Sequence, residues 1–291
     1  MFFSFRFTRR LTTILCALCL ALFIGGSFGW HRAATAAQAS AQRIALPIIM
    51  YHGILKDTSR QGKYVISPAL LESDISYLKE RGYTPVFMQQ VVDYVKSGVP
   101  LPEKPIVLSF DDGYYNNYTY AFPLAQKYGV KLVIAPILTQ TEQFSKAQEE
   151  NANYGHITWD NMREMVASGH VEIQNHTYNL HQSSGNRLGV RKISGETSQH
   201  YKTLLINDLQ TAQTEITKQI GVTPTTFVYP FGAFSSETED YVRQMGFQAT
   251  FTCESQINYL TSDPDCLFGL GRYLRTNEKT SVQFFQSILP D

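Results

Sequence analysis

The fold is decided by the stretch Ile106-Val107-Leu108-Ser109-Phe110-Asp111-Asp112-Gly113, an apolar run that ends in two carboxylates and a glycine. A short apolar run closed by glycine predicts a buried strand of a parallel sheet. Neighbouring residues of a strand face opposite ways, so Asp111 and Asp112 can share one pocket only if the chain bends, which Gly113 permits. Buried carboxylates cost free energy unless something compensates them. Alone, the stretch fits either a tight turn or a metal ligand beside a general base.

Strand and helix patterns alternate about seven times along the rest of the chain, with helix starts such as Ser67-Pro68 and helix stops such as Gly82. This alternation predicts an α/β fold with a parallel sheet, either closed as a barrel or open and doubly wound. Residues 139–156 and 182–200 are polar, and we expect them to be irregular surface segments. No glycine-rich nucleotide-binding motif appears in the sequence, which disfavours a nucleotide-binding sheet.

Composition argues for a globular enzyme-sized domain and against a nucleic-acid partner. The 291 residues are 43% hydrophobic and 17% charged, enough apolar material for a core, and the formal net charge is zero. The first 36 residues carry four arginines and no acidic residue, so the remainder holds 21 basic and 25 acidic residues, a net charge of −4. A surface of this charge does not suit a polyanion.

The N-terminus has the pattern of a targeting segment. Arginines precede the apolar run 11–24, small residues follow it, and Ala34-Thr35-Ala36 is a suitable cleavage site for a signal peptidase. Extended through Trp30, the run is also long enough to remain as an uncleaved membrane anchor. Either alternative predicts that the rest of the chain is extracytoplasmic, secreted or anchored to the outer face of the plasma membrane.

The sequence therefore predicts a signal peptide or anchor at 1–36, a linker at 37–43 and a catalytic domain at 44–291. Only Cys253 and Cys266 remain outside the targeting segment. In an exported protein they could form a disulfide, and two free thiols are an equal alternative. We expect membrane contact only through the N-terminal segment.

Polar side chains follow the predicted strands at their carboxyl ends, where parallel folds place their functional groups. These positions are Tyr51-His52-Gly53, Asp111-Asp112-Gly113, the segment from Asn175 to His181, and Tyr229-Pro230-Phe231-Gly232. His176 and His181 are five residues apart, so a turn must bring them together. Two histidines and a carboxylate suit a hydrolytic divalent metal, whereas the alternative is one core and one surface histidine.

Taken in order, Ser-Phe-Asp-Asp-Gly, His-Thr-x-x-x-His and Tyr-Pro-Phe-Gly resemble the motifs of the polysaccharide deacetylases, the fourth family of carbohydrate esterases. The resemblance covers roughly residues 44–291. It implies a distorted (β/α) barrel, usually of seven strands, and removal of acetyl groups from N-acetylglucosamine-type sugars. It also implies a divalent metal, usually zinc, with cobalt or nickel accepted. We expect a monomer acting on an N-acetylglucosamine polysaccharide.

The resemblance assigns roles to individual residues. Asp111 matches the general base, and Asp112, His176 and His181 match the metal ligands. The backbone N–H of Tyr114, just past the bend, could bind the developing oxyanion. The stretch Tyr229-Pro230-Phe231-Gly232 would form a wall of the sugar pocket.

Three features depart from the family pattern. The histidine spacing is five instead of four, Phe227 stands where an arginine is usual, and no histidine follows His200 to supply the usual C-terminal general acid. His52, at the end of the first strand, looks like the missing acid strand moved to the front by circular permutation. This arrangement resembles the subgroup that deacetylates poly-β-1,6-N-acetylglucosamine.

Two hypotheses follow from these departures. His52 would be the general acid, the alternative being a structural histidine at a strand end. Arg272 would replace the missing arginine and orient Asp111, the alternative being a surface or salt-bridged arginine. Other functions also stay open: a deacetylase of peptidoglycan, chitin-type oligomers or an O-acetylated glycan, or a non-catalytic glycan-binding module on the same fold.

Overall fold

The structure is a computed structural model that describes residues 43–289. The predicted targeting segment, and all but the last residue of the predicted linker, lie outside this range. Among residues 43–289 no helix combines the length and apolar character needed to cross a membrane. Cys253 and Cys266 are both free, so the disulfide alternative is not realised.

Short strands supply the framework. Within the described range they are β1 (Ile44–Leu46), β2 (Ile48–Tyr51), β3 (Gly53–Ile54), β4 (Val65–Ile66), β5 (Thr84–Pro85), β6 (Pro105–Asp112), β7 (Leu132–Pro136), β8 (Val171–Ile173), β9 (Thr226–Val228), β10 (Ala249–Phe251), β11 (Asn258–Leu260) and β12 (Tyr273–Leu274).

Helices alternate with these strands. The α-helices of the described range are α1 (Pro68–Glu80), α2 (Met88–Ser97), α3 (Phe122–Tyr128), α4 (Leu138–Ala147), α5 (Trp159–Ala167), α6 (Ser198–Ile220), α7 (Thr238–Gln244) and α8 (Ser281–Gln286). A π-helical turn, Asn117–Ala121, leads into α3. Ser67 caps α1 as predicted, accepting a hydrogen bond from the Leu70 N–H at 3.0 Å.

The central sheet is parallel and has the order β12-β2-β6-β7-β8, with β5 pairing beside β6. The strand β6, which contains the apolar run from Ile106 to Phe110 and both carboxylates, is buried along its whole length. Its register sets Tyr51 of β2 opposite Phe110, and sets Asp112 opposite Pro136 of β7. The α/β fold with a parallel sheet is thus confirmed, and the carboxyl ends of β2, β6 and β8 meet at one edge.

A second parallel pair, β9 and β10, joins this sheet through single bridges, while β3 and β4 form a short parallel pair of their own. Asn175, just beyond β8, bridges to Phe227, and Phe251 bridges to Leu270, just before β12. At these two places the strands are connected by one isolated bridge each and not by a continuous ladder of backbone hydrogen bonds. The predicted closed seven-stranded barrel, and its circular permutation, therefore stay predictions.

One helix was not predicted. Residues 139–156 were expected to be irregular, yet α4 occupies the first half of that segment. Leu138, Thr141 and Phe144, spaced three apart, form a narrow buried face of this helix. The other residues of the helix are half-buried or exposed. That stripe is too short to stand out in a polar sequence, and only packing against the rest of the domain stabilises the helix.

Candidate metal centre and active site

A tight turn at the end of β6 places the two carboxylates. Asp112 and Gly113 have φ of 68° and 69°, in the left-handed region that disfavours side chains other than glycine. A Cβ on Gly113 would lie 2.6 Å from Pro136 Cβ, so glycine is required there for space as well as for conformation. The bend that the sequence required is present, and Asp111 and Asp112 line the same cavity.

The loop after β8 brings the two histidines together despite their five-residue spacing. Thr177 takes a left-handed conformation, φ 77°, and its N–H donates to Asn175 Oδ1 at 2.9 Å. The ring centroids of His176 and His181 lie 4.9 Å apart. Asp208 of α6 fixes the middle of this loop, because its carboxylate accepts the N–H groups of Tyr178 and Asn179, each at 2.8 Å.

Asp112, His176 and His181 converge into a set suited to a metal ion. One potential ligand atom from each lies within 4.8 Å of the others. Asp112 Oδ1 is buried and accepts no hydrogen bond from the described residues, while Nε2 of His181 and of His176 lie 3.2 and 3.6 Å away. Two imidazoles and a carboxylate with such an uncompensated oxygen fit a divalent cation that retains open positions.

The protein around this set prepares it for a cation. Nδ1 of His176 lies 2.8 Å from the Val228 carbonyl, which favours a proton on Nδ1 and leaves Nε2 free as a ligand. Burial lowers the pKa of His181 to about 4, so the imidazole is neutral at physiological pH. Burial acts to raise the pKa of Asp112, but the neighbouring imidazoles outweigh it and hold that pKa well below its usual value.

Arg272 binds Asp111 in a two-pronged salt bridge. Nη1 lies 2.6 Å from Asp111 Oδ1 and Nη2 lies 2.8 Å from Oδ2, with both side chains buried. Three more hydrogen bonds hold the guanidinium, which donates to the Thr252 carbonyl, to Ser109 Oγ and to Cys253 Sγ. Burial acts to raise the pKa of Asp111, but the Arg272 charge prevails and lowers it, so that Asp111 stays ionised. Arg272 therefore occupies the position hypothesised for it.

His52 faces the same cavity from the end of β2. It lines the cavity together with Asp111 and the three candidate ligands, and its Nδ1 is buried without a hydrogen-bond partner in the described residues. Burial lowers the pKa of His52, opposed by the charges of Asp111 and Asp112. Asn117 donates to the His52 carbonyl at 2.7 Å, which fixes the backbone there.

The cavity that collects these groups has a volume of about 520 Å³. Tyr114 also lines it, and the Tyr114 N–H has no backbone carbonyl partner within residues 43–289. Burial, reinforced by Asp112, raises the pKa of the Tyr114 hydroxyl, which therefore stays protonated. A free N–H just beyond Asp112 is the kind of donor that stabilises a developing oxyanion.

The Tyr-Pro-Phe-Gly stretch divides between the cavity and the core. Phe231 lines the cavity, and its ring centroid lies 4.4 Å from that of His181. The Tyr229 ring is fully buried, stacked on Phe234 at 4.6 Å, and does not reach the cavity. Pro230 is buried as well, and Gly232 turns the chain at φ 64°. Of the four residues predicted to form the pocket wall, the structure thus brings only Phe231 to the candidate site.

Backbone strain concentrates at this site. Among residues 43–289, the non-glycine residues with positive φ are Asp112, Gln148, Thr177 and Phe231. All but Gln148, which ends α4, belong to the turns that present the candidate ligands or the cavity wall. Such conformations cost about 1–3 kcal/mol each and persist where surrounding structure enforces them, which marks functional sites.

Sequence reasoning missed other residues at the cavity. His156, at the end of the segment 139–156 that was expected to be an irregular surface segment, is buried behind two cavity residues, with Nδ1 3.1 Å from the Asp112 carbonyl and its ring against Tyr114. Lys63 and Tyr64 line the cavity from the segment between β3 and β4. No local signal marks them, since they precede a short strand and match none of the motifs.

Comparison with known proteins agrees with this geometry. Residues 98–250 match the family model described as polysaccharide deacetylase. A poly-beta-1,6-N-acetyl-D-glucosamine N-deacetylase from Escherichia coli strain K12 is 27% identical over 259 residues, covering 83% of this chain and 38% of the relative. The chain thus spans well under half of that protein.

This chain also matches two solved structures over nearly their whole length. A de-N-acetylase from Aggregatibacter actinomycetemcomitans is 30% identical with a TM-score of 0.70, covering 83% of this chain and 99% of the other. IcaB from Ammonifex degensii is 26% identical with a TM-score of 0.67, covering 84% and 96%. The chain therefore belongs to the polysaccharide deacetylase family, as its motifs predicted.

Proposed function

We propose that this protein is a divalent-metal-dependent N-deacetylase whose substrate is poly-β-1,6-N-acetylglucosamine. The observation that carries the proposal is one cavity lined by three candidate ligands, an arginine-held carboxylate and a histidine whose Nδ1 is buried. The names of the Escherichia coli relative and of the Aggregatibacter structure support the reaction, and the first of them supports the polymer.

Asp112, His176 and His181 would hold the metal, and zinc suits two imidazoles and a carboxylate. A metal bound there would lower the pKa of a water molecule and polarise the acetyl carbonyl. The buried, uncompensated Oδ1 of Asp112 is the feature of this chain that favours a cation at that position.

Asp111 acts as the general base. It is ionised, and the fork of Arg272 fixes the carboxylate plane while leaving further lone pairs free to accept a proton from the attacking water. Because Arg272 contacts both oxygens, the carboxylate cannot rotate away between turnovers.

His52 acts as the general acid. Breakdown of the tetrahedral intermediate breaks the carbon–nitrogen bond, and the departing amine takes up a proton that the protonated imidazole of His52 donates from inside the cavity, which leaves His52 neutral. The Tyr114 N–H supports the oxyanion until that bond breaks. The products are acetate and a sugar amine.

Acetate release from purified protein tests the proposal. Substrates are β-1,6-linked and β-1,4-linked N-acetylglucosamine oligomers and peptidoglycan, each with and without a chelator. We expect chelator-sensitive release that is fastest from the β-1,6 oligomers. Release that is fastest from another substrate would assign a different polymer, and protein without metal or activity would indicate a glycan-binding module.

We also propose that the domain works outside the cytoplasm, as a monomer. The signal-like pattern of the first 36 residues and the polymeric substrate support the location. Cell fractionation and light scattering of the purified protein check these two points.

A further inference from the structure

The segment between β3 and β4 brings to the cavity two side chains that the proposed reaction does not use. Tyr64 is half exposed, at 50%, and its ring centroid lies 4.9 Å from that of His52. Lys63 Nζ lies 5.1 Å from the centroid of the Tyr64 ring. Both residues line the cavity that contains the candidate metal ligands.

The backbone holds this pair in place. The Tyr64 carbonyl accepts the Gly53 N–H at 3.0 Å, and the Gly62 N–H donates to the Val65 carbonyl at 2.8 Å. The Gly62 carbonyl accepts the Asn277 N–H at 3.3 Å, which ties the segment to the chain beyond β12. Lys63 and Tyr64 are therefore presented from an anchored segment.

The position of His52 determines which aromatic residue meets the reacting sugar. A general acid must reach the amine nitrogen, and that nitrogen is bonded directly to the sugar ring. The ring therefore lies on the His52 side of the cavity, where Tyr64 packs edge-on against the imidazole. Phe231 packs instead against the candidate ligand His181, so it meets a different part of the polymer.

The charges of the cavity distinguish substrate from product. Its two carboxylates are both committed, Asp111 to Arg272 and Asp112 to the candidate metal set. Lys63 has no acidic partner among the described ion pairs, so its positive charge stays available to a bound sugar. An acetamido sugar is neutral there, whereas a de-N-acetylated sugar carries an ammonium group that Lys63 repels.

We propose that Lys63 and Tyr64 form the subsite for the sugar ring that carries the reacting acetamide. Tyr64 supplies an aromatic face for the C–H surface of the ring, and Lys63 excludes sugars that have already lost their acetyl group. The inference rests on the proposed deacetylase function. Repulsion by Lys63 keeps the de-N-acetylated product from occupying the position of the reacting sugar, so that product inhibition of the enzyme is weak.

Acetate-release kinetics of the metal-loaded enzyme test this subsite. The substrate is a fully N-acetylated β-1,6 oligomer, and the fully de-N-acetylated oligomer of equal length is added as a product inhibitor. The variants are Tyr64→Ala, Tyr64→Phe and Lys63→Gln. Lys56→Gln is a matched control on the same segment, since Lys56 lies over Tyr120 and does not line the cavity. Tyr259→Ala removes an equally exposed tyrosine away from the cavity.

We expect Tyr64→Ala to raise KM about 2- to 10-fold with a smaller change in kcat, and Tyr64→Phe to keep the wild-type KM. Lys63→Gln should strengthen inhibition by the de-N-acetylated oligomer about 2- to 5-fold, as expected for the loss of one exposed charge. Lys56→Gln and Tyr259→Ala should behave as wild type. Equal metal content and melting temperature across the variants would show that folding is unchanged.

An unchanged KM in Tyr64→Ala, or the same inhibition constant for the de-N-acetylated oligomer in Lys63→Gln and Lys56→Gln, would overturn the subsite while leaving the proposed function standing. If the wild-type enzyme releases no acetate from the N-acetylated oligomer, the proposed function fails and the subsite fails with it. The two failures are therefore distinguishable.

Discussion

Arg272 and Asp111, separated by 161 positions in the sequence, form a buried two-pronged salt bridge at the base of the candidate active site. Arg272 takes the place of the arginine that usually orients the base in this family, because Phe227 occupies the position where that arginine is usual. Phe227 is fully buried. Arg272, directly before β12, thus orients the Asp111 carboxylate, whereas the usual arginine would lie in β9.

Removing Arg272 should disable the base and destabilise the fold. In Arg272→Met the buried Asp111 carboxylate loses its counter-charge, and breaking such a pair costs about 3–5 kcal/mol of stability. Urea unfolding measures the stability loss, and acetate release should fall in parallel.

The double variant Asp111→Asn with Arg272→Met serves as the control for this pair. It leaves no unpaired buried charge, so we expect it to recover part of the stability lost in Arg272→Met while remaining inactive. Equal destabilisation of the single and double variants would show that the salt bridge is not what Arg272 contributes.

Metal binding should depend on the three candidate ligands. Asp112→Ala or His181→Ala should lower the bound divalent metal from one equivalent per chain to a small fraction, because a divalent site needs its full ligand set. Elemental analysis after dialysis measures this. His200→Ala is the matched histidine control, since His200 is exposed and paired with Glu196. Full metal content in both ligand variants would contradict the assignment.

Loss of His52 should affect turnover without affecting metal content. General acid–base groups contribute about 10²–10⁴-fold, so His52→Ala should lower kcat by that order while elemental analysis remains unchanged. His170→Ala provides a comparison, because His170 contacts the Val130 carbonyl and does not line the cavity. Near-native turnover in His52→Ala would leave the histidine with a structural role only.

Asp208 should matter through the histidine loop. Its carboxylate holds the N–H groups of Tyr178 and Asn179 between the two histidines. Removing such a supporting contact typically weakens metal affinity about 10- to 100-fold, which we expect for Asp208→Ala in a competition titration with a chelator. Asp160→Ala changes an exposed helix carboxylate and should leave the affinity unaltered. Equal affinities in the two variants would contradict this role.

Gly189 should position Phe231. A Cβ at Gly189 would lie 2.8 Å from the Pro230 carbonyl oxygen and 3.4 Å from Phe231 Cδ2, so Gly189→Ala must displace this part of the cavity wall. We expect KM to rise about 10-fold, the effect of losing an aromatic contact of about 1.4 kcal/mol. Acetate-release kinetics measure it.

Gly185→Ala separates steric displacement from backbone strain. Gly185 also has a positive φ, but nothing lies within 4 Å of its Cβ position. Both alanine variants carry similar backbone strain, and only Gly189→Ala collides with the wall. Identical kinetics for the two would contradict the positioning of Phe231 by Gly189.

Local sequence determined a large part of this protein. An apolar run closed by glycine predicted the buried strand β6, and the Ser67-Pro68 start and the Gly82 stop predicted α1, because such signals act within a few residues. The motif order identified Asp111, Asp112, His176 and His181 as neighbours, since parallel strands deliver their carboxyl ends to one edge. The bend at Gly113 was also readable, because only glycine suits that conformation and space.

Tertiary structure alone decided the rest. The sequence left the partner of Arg272 open between two alternatives, and only the packing of segments 161 positions apart pairs it with Asp111. The approach of Tyr64 to His52 was not predicted, because no local pattern encodes it. The turn of the Tyr229 ring into the core, while Phe231 faces the cavity, depends on the left-handed backbone at Phe231. Short sequence motifs identify the candidate ligands and the general base. The residues that surround them are decided by long-range packing, because burial and charge are balanced over the whole domain.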